Sequence, residues 1–392
     1  MSGWGSGSQT SLREANRASI LDAVARYGGL TQVELAAATG LSAATVSTIV
    51  KELAGSGLVE VHPTSRSGRR AQLVTVARRI GIGAGVHIGH RQLRVVLGDF
   101  SSEVIAEQVL PLPRDHLIDT TLDRAALLIV DMLDRVGSSV DELTGIGIGV
   151  PAPVDRATGR ISVPGVLRGW DDESIDQVMT DRLNTPAWVD NDANLAALAE
   201  STRGAGRDHP DFLFLRASYG IGSGVVIAGR LHRGYAGTAG EIGHIQVDPR
   251  GAICRCGSRG CLDTVVGEEA LLRPLRAGYG TLGLRDVVSR AGTGDPGCSR
   301  VVADAGETIG AVLAGVCQTL NPQVIVAGGE LSEAGEIFLD PMRRSLRRGV
   351  LANVVAPIDI VPATLGTRAE VVGAFAMVLD HTDVTHRGGN QR

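Results

Sequence analysis

The sequence predicts an α/β protein with a winged helix-turn-helix head and a two-lobed α/β body. Three observations predict it. Charge is uneven: residues 13–79 hold nine Lys/Arg against five Asp/Glu, a net of +4, which leaves −9 for the rest of a chain of net −5. A basic head on an acidic body suggests a nucleic-acid contact confined to the head. The head shows three short helical patterns followed by a basic hairpin. From residue 80, glycine-edged apolar runs alternate with helical patterns, and two similar strand-pair openings suggest two lobes.

Composition narrows the function classes. The 392 residues suffice for two or three domains with full cores, and 43% hydrophobic against 21% charged residues is a globular balance. Aromatics at 3% argue against a base-stacking surface. No membrane span or secretory signal is expected, so a cytoplasmic protein with reduced thiols follows. Lys51 is the only lysine, which excludes a Walker A loop and a Schiff-base lysine elsewhere.

The head is expected over residues 13–77, after a disordered tail at 1–12. Asn16 to Tyr27 reads as a helix stopped by Gly28-Gly29. Thr31 and Glu34 have the spacing of a capping box. Ser42 can cap a third helix in which Val46, Ile49, Val50 and Leu53 share one face. Ala44, Ser47, Thr48 and Lys51 lie about 200° away, a small polar face fit for a major groove, with Ser42 and Thr45 at its start. Leu58–Val61 and Gln72–Val76 can pair, with Pro63 to Arg70 as a loop that offers Arg66, Arg69 and Arg70 to DNA. The competing interpretation of the same pattern is a protein–protein module with a solvated loop.

The body is expected over 80–381, with a second tail from 382. Ile80–Ile88 and Leu93–Asp99 suggest a hairpin. Leu122, Ala126, Ile129, Val130 and Leu133 share a helix face. Leu143–Val150 suggests a buried strand, and Ala187–Val189 enters DNDANLAALAE as a strand end leading into a helix. Phe212–Leu215 and Gly224–Ile227 suggest the second strand pair, Val324–Val326 a buried strand, and Arg368–Leu379 the last helix.

Cys254, Cys256 and Cys261, with His244 ten residues earlier, form a Cys3His set suited to tetrahedral zinc. A disulfide is opposed by the compartment and by the short loop. Four protein ligands leave no position for an activated water, so the zinc is expected to be structural and to brace Glu241 and His244. Cys298 and Cys317 are expected to be buried thiols.

The segments IGIGVPAPVD, VDNDANLAALAE, AGTAGEIGHIQVDP, CRCGSRGC and NPQVIVAGGELS, in that order, resemble the ROK family of repressors and sugar kinases. The resemblance spans nearly all of residues 13–381. It implies an actin-like, hexokinase-like (ribonuclease H-like) body, with a first lobe of about 80–195 plus 368–381 and a second of about 196–367. It also implies a sugar in the cleft, held by Asn191, Asp192, Glu241 and His244. Asp192 matches the aspartate that takes the sugar proton in the kinases. The resemblance also puts Asp263 in the sugar-binding set, where the family usually has a glutamate. The alternative for DNDAN is a plain helix cap.

The phosphate motifs of the resemblance are altered. His87, His90 and Arg91 replace residues of a DxGGT-like turn, and Ser218 and Tyr219 open a turn usually like GTGIG. Bulk where backbone must approach phosphate opposes phosphoryl transfer. The sequence therefore predicts no enzyme but a sugar-responsive repressor of carbohydrate-utilisation genes. Its partners are operator DNA and a sugar or sugar-phosphate effector, and it acts as a homodimer or homotetramer. The alternative is an ATP-dependent sugar kinase carrying a DNA-binding head. A zinc sensor and an apo-activator are further alternatives.

Overall fold

The computed structural model describes residues 9–382 apart from 67–68, 78–80, 102, 114, 156, 164–166, 168, 171–172 and 352–356. The head comprises α1 (Gln9–Tyr27), β1 (Leu30–Thr31), α2 (Gln32–Thr39), α3 (Ala43–Gly55), β2 (Val59–Arg66) and β3 (Arg69–Val76). Thr31 and Glu34 form the capping box of α2, and Gly40 ends that helix in the left-handed region at φ 70°. α2 and α3 then meet at 112°, within the range of a helix-turn-helix. Val46, Ile49, Val50 and Leu53 are buried. Burial stabilises each by about 1.5–3 kcal/mol, which fixes the face of α3 turned away from solvent.

Two expectations for the head need correction. α1 starts at Gln9 rather than Asn16, so part of the expected tail is helix. Its first turns carry Arg13, which bonds Glu52 of α3. The wing strands also run further than expected, pairing down to Arg66 opposite Arg69. Pro63 does not break the strand, because β2 is an edge strand in the order β1-β3-β2, where proline is tolerated.

The first sheet contains β4 (Ile82–Ile88), β5 (Gln92–Asp99), β6 (Val104–Pro111), β7 (Leu143–Val150) and, beyond the small ribbon β8 (Val154–Asp155) and β9 (Arg160–Ile161), β10 (Ala187–Asn191). Helices α4 (Ile118–Arg135) and α5 (Ile175–Leu183) lie between its strands in the chain, and α6 (Asp192–Arg203) follows it. The second sheet contains β11 (Phe212–Ala217), β12 (Ile221–Ile227), β13 (Arg230–His232), β14 (Val324–Gly328) and β15 (Asp359–Pro362). The segment between β13 and β14 carries α7 (Leu262–Val266), α8 (Glu268–Leu272), α9 (Arg276–Tyr279), α10 (Leu284–Gly292) and α11 (Pro296–Leu320). α12 (Glu336–Gly349) precedes β15, and α13 (Ala369–His381) ends the described chain.

Both sheets follow one plan: an antiparallel three-strand meander extended by two parallel strands, in the orders β10-β7-β4-β5-β6 and β13-β12-β11-β14-β15. α13 packs on β4 and β7 of the first sheet, α6 packs on β11 and β12 of the second, and the two helices pack on each other. The close approach explains the GIGAG and GIGIG runs. A Cβ at Gly147 would sit 1.9 Å from the Ala374 carbonyl, and one at Gly373 would sit 1.8 Å from the Leu195 carbonyl. In α4, Leu122, Ala126, Ile129 and Leu133 are buried as expected, but Val130 turns outward at 41% exposure. α11 is apolar enough in composition to cross a bilayer, yet it packs between α10 and α12 in the core of the second lobe.

The head does not hang free. Its core residues Ile20, Val24 and Val50 belong to one apolar cluster with Phe100, Ala199, Val371, Phe375 and Leu379 of the body. α1 touches both α13 and α6.

Candidate functional site

Asn191 closes β10 and caps α6: its Oδ1 accepts from Ala193 N at 2.8 Å and Asn194 N at 3.3 Å. The cap is therefore real, and it places Asp192 in the first turn of α6, where the helix N-terminus favours a negative charge. Asp192 is 3% exposed. Arg216 Nη2 lies 3.3 Å and His87 Nε2 3.6 Å from its Oδ2, which makes no hydrogen bond. Burial raises the Asp192 pKa, but Arg216 and His87 outweigh it, so the carboxyl titrates below its ordinary value. Arg216 also donates to Glu370 at 2.9 Å, which completes a buried acid–arginine–acid triad spanning β11, α6 and α13.

Glu241 and His244 flank a short helical turn, with Glu241 Oε2 at 3.9 Å from His244 Nε2. Burial first, then the neighbouring Asp192 and Asp263, push the Glu241 carboxyl up to about 7. Asp263 is occupied within the chain. Its Oδ1 accepts from Ile221 N at 2.7 Å and its Oδ2 from Arg255 at 3.1 Å.

The other side of His244 belongs to a second cluster. Ligand atoms of His244, Cys254, Cys256 and Cys261 all lie within 4.8 Å of one another. Cys256 Sγ to Cys261 Sγ is 3.7 Å, and Cys254 Sγ to His244 Nδ1 is 3.5 Å. A zinc tetrahedron with ordinary bond lengths has edges of about 3.8 Å between sulfurs and about 3.6 Å from sulfur to nitrogen. Burial and the neighbouring sulfurs push the Cys261 thiol up to about 12, so without a cation it keeps its proton. The donor set therefore fits a metal ion. Gly260 makes the wrap possible, at φ +64° with the Asp248 carbonyl 1.5 Å from where a Cβ would be. Cys298 and Cys317 are buried elsewhere.

The two phosphate-type turns are closed by the chain itself. Gly89 N donates to Gln92 O at 2.9 Å, and Ile221 N is held by Asp263. His90 and Tyr219, one from each turn, meet edge to face at 6.0 Å. Arg91 pairs with Glu268 at 3.6 Å, and Arg285 reaches Gln92 at 3.3 Å and Glu330 at 3.5 Å. Ser218 is buried and bonds Glu330. His87 is buried with neither ring nitrogen hydrogen-bonded. The space between His87, His90, Arg216, Gly329 and Glu370 is only about 10 Å³. Three substituted positions, His90, Arg91 and Tyr219, and Arg216 thus act as clasps between the lobes.

On the head, Ala44, Thr48 and Lys51 are exposed and Thr45 and Ser47 half-buried along the open face of α3. Ser42 caps that helix through Thr45 N and touches the Thr45 hydroxyl at 2.8 Å. Arg70 is exposed on the wing; the side chains of Arg66 and Arg69 lie outside the described residues.

Sequence reasoning missed Arg216, Glu370 and Arg233. Arg233 anchors Asp190 at 2.6 Å, just before Asn191. The signal for Arg216 was present: one arginine inside the fully buried strand FLFLRA.

Comparison with known proteins agrees with this architecture. Residues 14–70 match the MarR family and residues 83–381 match the ROK family. The chain is 27% identical to the xylose repressor of Bacillus subtilis (strain 168), over 95% of this chain and 97% of that protein. It is 30% identical to the DNA-binding transcriptional dual regulator NagC of Escherichia coli (strain K12), over 94% and 93% respectively. A crystal structure of a ROK family transcriptional regulator, a homologue of the E. coli MLC protein, superposes with a TM-score of 0.76 at 22% identity, over 96% of this chain and 99% of that one. A ROK family glucokinase from Streptomyces griseus, in complex with glucose and AMPPNP, superposes with a TM-score of 0.65 at 28% identity, over 76% and 99%. With its body and its paired head both accounted for, the chain belongs to the ROK family.

Proposed function

We propose that this chain is a sugar-responsive transcriptional repressor that binds operator DNA through its head and a sugar between its lobes, with no phosphoryl transfer. One observation carries it: a helix-turn-helix head shares its apolar core with α6 and α13, whose N-termini carry Asp192 and Glu370 of the polar cluster. Asn191, Asp192, Glu241 and His244 are the sugar residues, with Asp263 holding the Ile221 turn beside them. Ser42, Ala44, Thr45, Ser47, Thr48 and Lys51 face the major groove, and Arg66, Arg69 and Arg70 of the wing reach the backbone or minor groove. Cys254, Cys256, Cys261 and His244 hold a structural zinc ion, which contributes rigidity and leaves no position for a reactive water. A homodimer or homotetramer presents two heads to half-sites about 34 Å apart, or a multiple of that.

The route of coupling is α6. Asn191 and Asp192 form its N-terminus. Its other end carries Ala199 in the head cluster and Arg203, whose guanidinium lies 5.7 Å over Phe375 of α13. Sugar that bridges the lobes shifts α6 and α13 together, and α1 rests on both. A coupling of roughly 1–3 kcal/mol would weaken operator affinity about 5–150-fold.

Binding of a labelled operator by fluorescence anisotropy, with and without each sugar, tests the proposal. Asp192→Asn should bind operator normally and lose the sugar response, because one charge-assisted bond of about 1.5–3 kcal/mol disappears. An unaltered response would remove Asp192 from the site. Lys51→Ala should weaken operator binding and lower the slope of log affinity against log salt by about one; an unchanged slope would take α3 off the phosphates. The family's kinases support a second reading, an ATP-dependent sugar kinase with a DNA-binding head. Sugar-dependent ATP turnover in a coupled assay would establish it against the first.

A further inference from the structure

The polar cluster does not fill the cleft. Beside Asp263, Arg255 and His90 the cleft widens into a chamber of about 510 Å³, within the range of roughly 300–1,000 Å³ that takes drug-sized ligands. Asp263 lines the chamber but Asp192 and Glu241 do not, so a single pyranose ring held at those two leaves it open.

The chamber is built rather than accidental. His116 forms one wall. Its ring stands edge-on to Trp170 at 5.7 Å, its Nδ1 meets the Thr121 hydroxyl at 3.0 Å, and the Trp170 indole donates to its carbonyl at 3.4 Å. Tyr219 and Ile253 come from the second lobe, and Ile253 is 70% exposed although it is apolar. Aromatic and aliphatic faces among paired polar groups suit the two faces of a sugar ring, which is apolar at its C–H surface and polar at its rim.

Charge decides the class of ligand. Asp115, Asp263, Glu268 and Glu269 stand against Arg91, Arg255 and Arg273. Burial and the nearby Arg255 and Arg216 hold His90 down at about 3, so it adds no charge at neutral pH. Two of the arginines are already paired, Arg91 with Glu268 and Arg255 with Asp263. With Glu269 held by Arg276 at 2.6 Å the acids and bases balance, and with the nearest turn amides given to Asp263 and Gln92 the chamber offers no net positive charge to a nucleotide or a sugar phosphate.

We infer that the effector is an uncharged disaccharide or longer glycoside: one ring occupies the inner cluster, and a second lies in the chamber between His116, Tyr219 and Ile253. The inference rests on the sugar-responsive reading and names its ligand class. It also gives the half-buried Ala270 of α8 and the exposed Arg273 a place in the specificity site.

Titration calorimetry on the full metal-loaded chain tests it. The probes are xylose, glucose and N-acetylglucosamine against xylobiose, cellobiose and N,N′-diacetylchitobiose. One disaccharide is expected to bind at least tenfold tighter than its own monosaccharide. Ala270→Trp, which fills the chamber, and Arg273→Ala, an exposed change that spares the fold, should each remove that advantage and leave monosaccharide affinity within about twofold. Equal binding of the two sizes, or equal losses for both in the variants, overturns the second-ring subsite and leaves the sugar-responsive reading intact. Tight uptake of magnesium-ATP or of glucose 6-phosphate in preference to neutral sugars overturns it as well. No carbohydrate binding of any size sinks both readings together.

Discussion

Cys256→Ser is expected to lose zinc and sugar affinity together while operator binding in the absence of sugar survives. Three thiols and one imidazole make up the whole donor set. A serine oxygen replaces a soft thiolate poorly, and second-sphere changes alone shift metal affinity 10–100-fold, so loss of a ligand should exceed that. The consequence travels through two neighbours. His244 sits at once 3.5 Å from Cys254 and 3.9 Å from Glu241, so an unligated imidazole is free to leave the sugar cluster. Arg255, between two of the cysteines, anchors Asp263, and Asp263 anchors Ile221. Metal content by elemental analysis and sugar affinity by calorimetry should fall in parallel. Cys317→Ser, at a buried thiol in the core of the second lobe, is the control and should keep both. Sugar affinity that survives complete metal loss would separate the loop from the ligand site.

The sequence was most legible where structure is local. The capping box and the four-residue apolar face of α3 are both set by neighbours within one or two turns, and each stands where the sequence places it. The Cys3His set was legible because its spacing is short. What stayed hidden depends on distant partners. The early start of α1 is supported by Arg13 against Glu52, 39 residues away. Pro63 inside β2 is acceptable only because the strand is an edge, which is a property of the assembled sheet. The place of Asp263 after Cys261 suggests a sugar ligand, yet its oxygens are held by residues 42 positions before it and 8 before it. Arg216 depends on a partner still further along the chain, Glu370, across 154 residues. No window of sequence contains both members of that pair, whereas the buried strand around Arg216 already marked it as a charge in need of partners.

Arg216→Met is expected to destabilise the body by about 3–5 kcal/mol, the range for breaking a buried ion pair from one side, and to lower the melting temperature by roughly 10 °C. The volume is nearly kept, so the loss is electrostatic: Asp192 and Glu370 are left facing each other, with side chains 4% and 8% exposed. The contribution of Asp192 to the pH dependence should then change sign. In the native chain Asp192 titrates below its ordinary value. Its contribution is present above an unfolded pKa of about 3.9 and is lost as the pH falls through the folded value. Without the guanidinium, burial is the dominant influence and raises the folded pKa above the unfolded one. Stability is then gained as the pH falls from neutrality and lost as it rises through the folded value. Chemical denaturation of both proteins between pH 4 and 7 should therefore show stability falling more steeply with rising pH in the variant, because native Asp192 contributes no slope above its unfolded pKa. Adding Asp192→Asn to the Arg216→Met variant should restore part of the loss, which would show that the two side chains act as a coupled pair. Parallel slopes, or additive losses in the double variant, would mean that Arg216 is held only by packing and that the clasp between α6, β11 and α13 is not electrostatic.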